Sequence, residues 1–238
     1  MIAEIPRGPV EVPVLVRAVA GGVPVDAVWR NELGGLTFRS ADRFYKWNPR
    51  GSGIDLEGEH RRLDWARRFV TVPEVLDRVR DDAGQVMVTR ALDAESAVSA
   101  GWRERPADAV RAIGRGLRLL HDALPVPACP FDWSVESRGG ARRLPGRDVP
   151  DIDVLVVCHG DACAPNFLIG AYGSPGGFVD LGSLGVADRW ADLAVASMSL
   201  HWNFDPPCED YFWDAYGVDP DAVRIAFYRD LWNAEDEP

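Results

Sequence analysis

Residues 156–169 read VVCHGDACAPNFLI, a polar centre enclosed by two apolar flanks. The flanks predict two short buried segments, so the centre, with Asp161 and Asn166 five positions apart, lies in a tight loop between them. A second stretch, GGFVDLGSLGVADRWADL at 176–193, puts Asp180 at the end of another apolar run. The two stretches indicate polar groups presented at the ends of buried strands.

The composition predicts a protein with a sizeable core. The chain has 238 residues, 47% of them hydrophobic, which is enough for one large domain or two lobes. It contains no run of about 18 apolar residues and no secretory signal pattern, so we expect a cytoplasmic protein without a membrane span. The four cysteines have no regular framework, and reduced thiols are favoured over a zinc site because the spacing of Cys158 and Cys163 does not suit one.

The charge is concentrated in the second part of the chain. Residues 1–92 carry 14 basic and 13 acidic side chains, whereas residues 93–238 carry 12 and 24. Such a surface repels nucleic acid and attracts cations. A charge that serves only solubility is the alternative interpretation.

Lysine usage singles out one position. The chain has 26 basic residues, and Lys46 is its only lysine. Arginine and lysine are interchangeable at many surface sites, but a compact ammonium is not replaced by a planar guanidinium where space is confined. Lys46 is therefore a candidate functional residue.

The first 92 residues predict a small antiparallel sheet with one helix. VEVPVLVRAV (10–19) fits a strand, or a helix start that Pro13 argues against. VWRNELGGLTFRSADRFYKWNP (28–49) is interpreted as two strands, with a tight turn at Gly34-Gly35 and a second turn before RFYKW. DLEGEHRRLDWARRF has helical spacing, and VPEVLDRVRDDAGQVMVTRAL predicts a hairpin that ends near Leu92.

The remaining residues predict a mainly helical part. RPADAVRAIGRGLRLLHDAL, DRWADLAVASMSLHWNF and DPDAVRIAFYRDLWNA are periodic helices, the last with Asp219 as N-cap and Pro220 in its first turn. Residues 134–150, rich in Gly, Arg and Pro, predict a mobile surface loop. The tryptophans of the helices are predicted to be core residues rather than a ligand cage: Trp190, Trp202, Trp213 and Trp232.

Phosphoryl transfer from ATP needs a lysine for the phosphates, an acid to fix that lysine, an aspartate near the acceptor hydroxyl, and an Asn and a second Asp for magnesium. The chain offers these in order as Lys46, Glu59, Asp161, Asn166 and Asp180. Glu57 competes with Glu59 for the lysine, although the pattern LEGEHRRLDW favours Glu59. Each residue alone is a weak signal, but five in order are a strong one.

The motifs HGDACAPN and FVDLGSLGVADRWADLA resemble the catalytic and metal-binding loops of the aminoglycoside 3′-phosphotransferases. The likeness continues through LHDALPVPACPFD and YGVDPDAVRIAFYRDL. It implies an α+β, bilobal, protein-kinase-like fold, with a small antiparallel-sheet N-lobe that binds nucleotide (1–92) and a mainly helical C-lobe that is catalytic and binds the acceptor (93–238). It also implies a phosphotransferase that uses ATP and Mg²⁺, with GTP left open.

The resemblance implies a role for each matching position. Asp161 is the catalytic base or orienting acid, Lys46 and Glu59 hold the phosphates, and Asn166 and Asp180 bind magnesium. Asp188 or Asp192, and His159, brace the loops. Two further groups contact the nucleotide, as a phosphate-covering loop and as a hinge against adenine: Gly34, Gly35, Leu36 and Thr37, and Thr89, Arg90 and Ala91.

The acceptor half departs from the family pattern. The segment before the catalytic loop is short and Arg-bearing, and the chain ends in WNAEDEP, where family members place acidic groups that reach the substrate. Glu235, Asp236 and Glu237 are the corresponding candidates. We expect a monomer that acts on a small cationic acceptor, foremost an aminoglycoside. A kinase for another antibiotic or metabolite, or a nucleotide-binding pseudokinase, are the alternatives.

Overall fold

The computed structural model of the protein describes residue 6 and residues 8–234. The chain divides into two compact units. The first contains the described residues up to Arg67 together with Pro73–Leu92, and the second contains Arg68–Val72 and the described residues from Asp93 onward. Among the described residues, no helix is both long and apolar enough to cross a lipid bilayer.

The first unit is built on a five-stranded antiparallel sheet with the order β1-β2-β3-β5-β4. Its helix and its hairpin confirm the sequence predictions. The region 28–49 contributes three strands rather than two, because the chain reverses at both predicted turns. In chain order the elements are α1 (Val14–Ala20), β1 (Asp26–Arg30), β2 (Leu36–Arg39), β3 (Arg43–Pro49), α2 (Leu56–Ala66), β4 (Val75–Arg80) and β5 (Gly84–Arg90).

The first helix shows how proline can begin a helix rather than prevent it. Pro13 is the N-cap residue of α1, and its carbonyl oxygen accepts from the amide of Arg17 at 3.0 Å. A proline at the start of a helix removes only an amide that has no partner within the helix. The alternative of a strand at 10–19 is therefore wrong, and buried Val16 joins the core beside Phe38 and Tyr45.

The second unit is mainly helical, as predicted, with two small antiparallel sheets of order β10-β7 and β6-β8-β9. The apolar face of its longest helix is fully buried, including Val110, Ile113 and Leu117. In chain order the elements are β6 (Glu95–Ser96), α3 (Ala100–Arg103), α4 (Pro106–Ala123), α5 (Gly140–Arg143), β7 (Leu155–Cys158), β8 (Phe167–Ile169), β9 (Pro175–Phe178), β10 (Gly185–Asp188), α6 (Trp190–Asn203), α7 (Glu209–Tyr216) and α8 (Ala222–Asn233).

Two predictions about the second unit are wrong in detail. The N-cap of α8 is Asp221, whose Oδ1 accepts from the amides of Val223 and Arg224, so Asp219 and Pro220 precede the cap. The segment 134–150, predicted as a loop, contains α5, and its arginines contact α8. Arg147 pairs with Asp230 at 3.0 Å, and Arg143 donates to the carbonyl oxygen of Ala234.

Candidate active site

The polar loop after β7 is closed by the side chain of Asn166. Its amide nitrogen donates to the backbone oxygen of Asp161 and to Asp161 Oδ2, both at 2.9 Å. A 3₁₀ turn at Ala164–Asn166 brings the two residues together. The five-residue spacing thus lets the amide reach back and fix the carboxylate.

The second carboxylate oxygen of Asp161 is free to accept. Asp161 Oδ1 is buried and has no partner with normal hydrogen-bond geometry among the described residues. Burial raises the pKa of Asp161 and so does the charge of Asp180, while the charge of His159, the neighbouring Cys163 thiol and the hydrogen bond from Asn166 act in the opposite direction. A thiol is a weak donor, so it satisfies this carboxylate only in part. A buried acceptor without a donor costs free energy, and the hydroxyl group of a substrate can supply that donor.

Gly160 allows this loop to pack against the segment after Asp180. It has φ of 84°, a conformation that glycine adopts without strain. A Cβ atom added there would lie 2.2 Å from the carbonyl oxygen of Ser183. Any side chain at this position would therefore push apart the two loops that carry Asp161 and Asp180.

Asp180 follows β9 and is brought to Asn166 by the backbone. The amide of Val179 donates to the carbonyl oxygen of Asn166 at 3.0 Å, and Asp180 itself has a left-handed backbone with φ of 59°. The side-chain nitrogen of Asn166 donates within the loop, so the side-chain oxygen, Oδ1, is the atom suited to a cation. Carboxylate and amide oxygens are the ligands that Mg²⁺ prefers, and these residues fit such an ion.

The side chain of Asp192 on α6 accepts hydrogen bonds from the backbone of the loop that carries Asp161. Its Oδ2 accepts from the amide of His159 at 2.6 Å, and its Oδ1 accepts from the amide of Gly160 at 3.0 Å. Oδ2 also lies 3.0 Å from Nε2 of His121 on α4. Burial alone raises the pKa of Asp192, but the hydrogen bond and charge of His121 and the other donors outweigh it, so the net pKa is lowered.

His121 extends this brace to α7. Its Nδ1 lies 2.8 Å from the hydroxyl of Tyr216. A carboxylate only accepts, so in the neutral ring we assign the proton to Nε2, and Nδ1 then accepts from the tyrosine. Asp192 was one of the two acids predicted to brace the loops, while His121 and Tyr216 were missed. A histidine within the apolar face of a predicted helix was the available signal.

The same region contains three metal-ligand types that form no metal site. The ligand atoms of His121, Cys158 and Asp192 lie within 4.8 Å of one another. Both nitrogens of His121 and both oxygens of Asp192 have the hydrogen bonds described above, and the Cys158 thiol donates to the carbonyl oxygen of Asp188 at 3.4 Å. The cluster is a satisfied hydrogen-bond network.

Replacing Asp192 by Asn should destabilise the protein and distort the loop. The side-chain NH₂ group of the new asparagine would face N–H donors that now point at the carboxylate of Asp192. Breaking the buried pair of Asp192 and His121 costs about 3–5 kcal/mol. We expect a decrease in Tm of roughly 6–20 °C for a chain of this size, measured by calorimetry. Asp214→Asn, at an exposed position on α7, is the control, and equal Tm values for the two variants would contradict the assignment.

His159 acts as a structural residue in this arrangement. Its side chain is fully buried, Nδ1 lies 3.3 Å from the amide of Asp161, and the ring stacks on Phe167 with centroids 5.9 Å apart. It therefore braces the loop, which is the role that we predicted in preference to a general base. Asp188 braces a neighbouring point, because its Oδ2 accepts from the amide of Asp153 at 2.8 Å.

In the first unit, Lys46 on β3 is bound to Glu59 on α2. Nζ lies 3.0 Å from Oε1 and 2.8 Å from Oε2, and the glutamate side chain is only 5% exposed. The competing acid, Glu57, pairs instead with Arg78 on β4. Of the two candidates, Glu59 is thus the one that orients the ammonium.

The glycine turn between β1 and β2 is shaped by a residue that the sequence did not single out. Asn31 Oδ1 accepts from the amides of Leu33 at 3.1 Å and Gly35 at 2.6 Å, and its amide nitrogen donates to buried Asn48. A Cβ atom on Gly35 would lie 2.0 Å from Asn48 Oδ1. The amides of Leu33 and Gly35 are therefore engaged within the turn.

Only part of the predicted phosphate-covering loop is a loop. Gly34, with φ of 81°, and Gly35 form the turn. Leu36 and Thr37 instead begin β2, where Thr37 lies opposite Lys46. Leu36 and Thr37 therefore belong to the sheet, and the glycine turn is shorter than predicted.

The predicted hinge residues lie at the end of β5. Thr89 is buried, the amide of Arg90 donates to the carbonyl oxygen of Glu74, and the amide of Ala91 donates to that of Asp42, each at 2.9 Å. Both amides are thus used within the first unit.

The candidate acceptor residues at the chain end, Glu235, Asp236 and Glu237, lie outside the described residues. Of the helical tryptophans, Trp190 and Trp213 are buried as predicted. Trp232 on α8 is only partly buried, and the prediction is wrong for Trp202, which is 60% exposed near the end of α6.

Comparisons with known proteins cover nearly the whole chain. The model of the phosphotransferase enzyme family matches residues 16–153 and 147–228. A streptomycin 3″-kinase of Streptomyces griseus is 34% identical over 250 residues, covering 86% of this chain and 90% of that protein. An aminoglycoside 3′-phosphotransferase of Streptomyces fradiae is 34% identical over 221 residues, covering 76% and 80%.

A solved structure extends the likeness to three dimensions. It is an aminoglycoside phosphotransferase of Streptomyces rimosus in complex with ADP and streptomycin. The match has a TM-score of 0.71 and 26% identity, and it covers 93% of this chain and 96% of that one.

Proposed function

The chain belongs to the phosphotransferase enzyme family, and on that premise we propose that it transfers the γ-phosphate of ATP to a hydroxyl group of an aminoglycoside. The observation that carries the proposal is the state of Asp161. One carboxylate oxygen is held by Asn166, and the other is buried with no strong donor among the described residues, since only the weakly donating thiol of Cys163 is close to the carboxylate. A substrate hydroxyl that donated to this oxygen would be oriented for attack on phosphorus.

Asp161 is proposed as the group that receives the acceptor hydroxyl and its proton. Its backbone position is set by Asp192, which accepts from the two amides that precede it. The rigid loop keeps the carboxylate in place before the acceptor arrives, and such positioning is a large part of catalysis in phosphoryl transfer.

Lys46 and Glu59 are proposed to hold the nucleotide phosphates. The ammonium is fixed by both carboxylate oxygens, so its positive charge is held in one position, where it can attract phosphate. A fixed cation stabilises charge on the transferring group without reorganising as the reaction proceeds.

Asn166 and Asp180 are proposed to hold Mg²⁺. When bound, the ion supplies positive charge that neutralises the phosphate oxygens. The chain itself contributes the oxygen ligands. It holds the two residues together through the hydrogen bond from the Val179 amide to the backbone carbonyl oxygen of Asn166. That the enzyme uses ATP rather than GTP stays a prediction. So do its monomeric state and its cytoplasmic location.

The aminoglycoside acceptor is supported by the relatives and by charge. A related structure contains streptomycin, and the curated relatives are named for aminoglycosides. An acidic second part of the chain attracts polycations. The test is ADP release by the purified protein against a panel of aminoglycosides and other hydroxylated amines, with product mass. ADP release with aminoglycosides but not with the other amines supports the proposal. Nucleotide binding without turnover of any acceptor would indicate a pseudokinase.

Salt should weaken acceptor use more than nucleotide use. Residues 93–238 carry 24 acidic and 12 basic side chains, and raising salt from about 0.05 to 0.5 M shortens the screening length roughly threefold. We therefore expect kcat/KM for the best acceptor to fall clearly across this range, while ATP hydrolysis without acceptor falls much less. A salt-insensitive kcat/KM would mean that the acidic surface serves solubility.

A further inference from the structure

We propose that Trp202 binds the acceptor by stacking its indole face on a cationic group, and that this group is a guanidinium rather than a primary ammonium. The proposal rests on the proposed function and assigns a specificity-determining residue to it. Trp202 is 60% exposed on α6, in contrast to buried Trp190 on the same helix.

Trp202 lies on the part of α6 that contacts the catalytic loop. Ser199 Oγ accepts from the amide of Ala164, three positions after Asp161, at 2.9 Å. Asn203 donates to the same Oγ at 3.1 Å, which fixes this turn of the helix. Trp202 is three positions after Ser199, so its Cα lies about 4.5 Å farther along the helix axis. An acceptor whose hydroxyl is at Asp161 thus has an aromatic face within one helical turn of the loop.

The direction of the side chain also favours the loop. In a helix the Cα–Cβ bond tilts toward the N-terminus, so a side chain covers the turn that precedes it. For Trp202 that turn contains Ser199 and Met198, which is itself only partly exposed. The tilt therefore directs the indole toward the turn of α6 that contains Ser199.

The chain covers several of its other aromatic rings with its own arginines, but not this one. Arg105 lies 4.2 Å from the ring centroid of Trp102, and Arg138 lies 4.8 Å from that of Trp133. Within the part of the chain that the structure describes, no arginine stacks on Trp202. Its face is available to a cation from outside, and tryptophan is the aromatic residue that binds cations best.

The charges around Trp202 distinguish the two kinds of cation. The carboxylate of Glu209 is occupied, because His201 Nε2 lies 2.9 Å and Arg229 Nη2 lies 3.7 Å from its oxygens. Asp205 and Asp210, three and eight positions after Trp202, are exposed and add negative charge to this part of the chain. A strongly hydrated ammonium needs a close carboxylate, whereas a planar, weakly hydrated guanidinium can stack on an aromatic face. The surface therefore fits a guanidinium-bearing aminoglycoside.

The test uses streptomycin, which carries guanidinium groups, and kanamycin, which carries primary amines. For Trp202→Leu we expect the KM for streptomycin to rise about tenfold, which corresponds to about 1.4 kcal/mol and lies between the values of an exposed and a desolvated cation–π contact. Trp202→Phe should retain part of the contact and show a smaller rise.

The KM for ATP should be unchanged, and the KM for kanamycin should change less than about twofold, since its ammonium groups stack less well. Tyr172→Leu removes an aromatic ring that is even more exposed, in the β8–β9 turn, and should change none of these values.

Direct binding keeps this test separate from that of the proposed function. Calorimetric titration of streptomycin into the ADP-bound wild type and Trp202→Leu should show the same tenfold loss of affinity. Equal Kd values for the two proteins, or no streptomycin binding to the wild type, would overturn the assignment. Turnover of kanamycin but not streptomycin would leave the proposed function intact and overturn the choice of guanidinium. Weakened streptomycin binding without turnover would support Trp202 and count against the phosphotransferase proposal.

Discussion

Asp161→Asn is expected to abolish phosphate transfer while nucleotide binding persists. The amide can still accept the hydrogen bond from Asn166, so the loop should remain closed, but it cannot take up the proton of the acceptor hydroxyl. A positioned base contributes typically about 10²–10⁴-fold to the rate, and we expect a loss of that size in kcat. Steady-state ADP release and ATP affinity by titration measure the two effects.

The matched control is Asp219→Asn, which removes an exposed carboxylate from the same unit and should leave kcat unchanged. A variant of Asp161 that kept more than about a tenth of wild-type turnover would lie outside the effect of a positioned base. It would show that Asp161 has a different role, such as a structural one within the loop.

Lys46→Arg is expected to damage turnover almost as much as Lys46→Ala. Both carboxylate oxygens of Glu59 contact the ammonium, and the side chains of Lys46 and Glu59 are 22% and 5% exposed. A guanidinium keeps the charge but is wider and planar, so it cannot place one donor between that carboxylate and a phosphate. Loss of one positioned charge-stabilising donor costs about 10²–10³-fold in kcat, and both variants should approach this loss in coupled assays at saturating acceptor.

Arg50→Lys tests whether the effect belongs to the site. Arg50 forms an exposed pair with Asp82 in the same unit, at 73% and 107% side-chain exposure, so exchanging its cation should leave kcat/KM unchanged. Near-normal kinetics for Lys46→Arg would mean that the single lysine of this chain reflects codon usage rather than function.

The sequence by itself predicted the groups that lie in short continuous segments. Asp161 and Asn166 share one loop, and the bond between their side chains spans only five positions. The apolar flanks, the turn residues and the spacing of such a loop all act locally, so their pattern is visible without a fold. The same holds for the helix that carries Glu59, whose periodicity placed the acid on the element after Lys46.

Only the tertiary structure decided which distant residues hold these groups in place. Asp192 is 33 positions from His159, and His121 is 71 from Asp192 and 95 from Tyr216, yet they form one network. No local pattern encodes such contacts, because they depend on how α4, α6 and α7 pack.

Exposure was decided in the same way. Trp202 belongs to a mostly apolar helix, and its position in the sequence predicted the core. Helix α6 passes from the interior, where Trp190 is 2% exposed, to the surface at its C-terminal end, where Trp202 is 60% exposed. Burial depends on what the rest of the chain places over a residue, and hydrophobic periodicity reports only the face on which that residue lies.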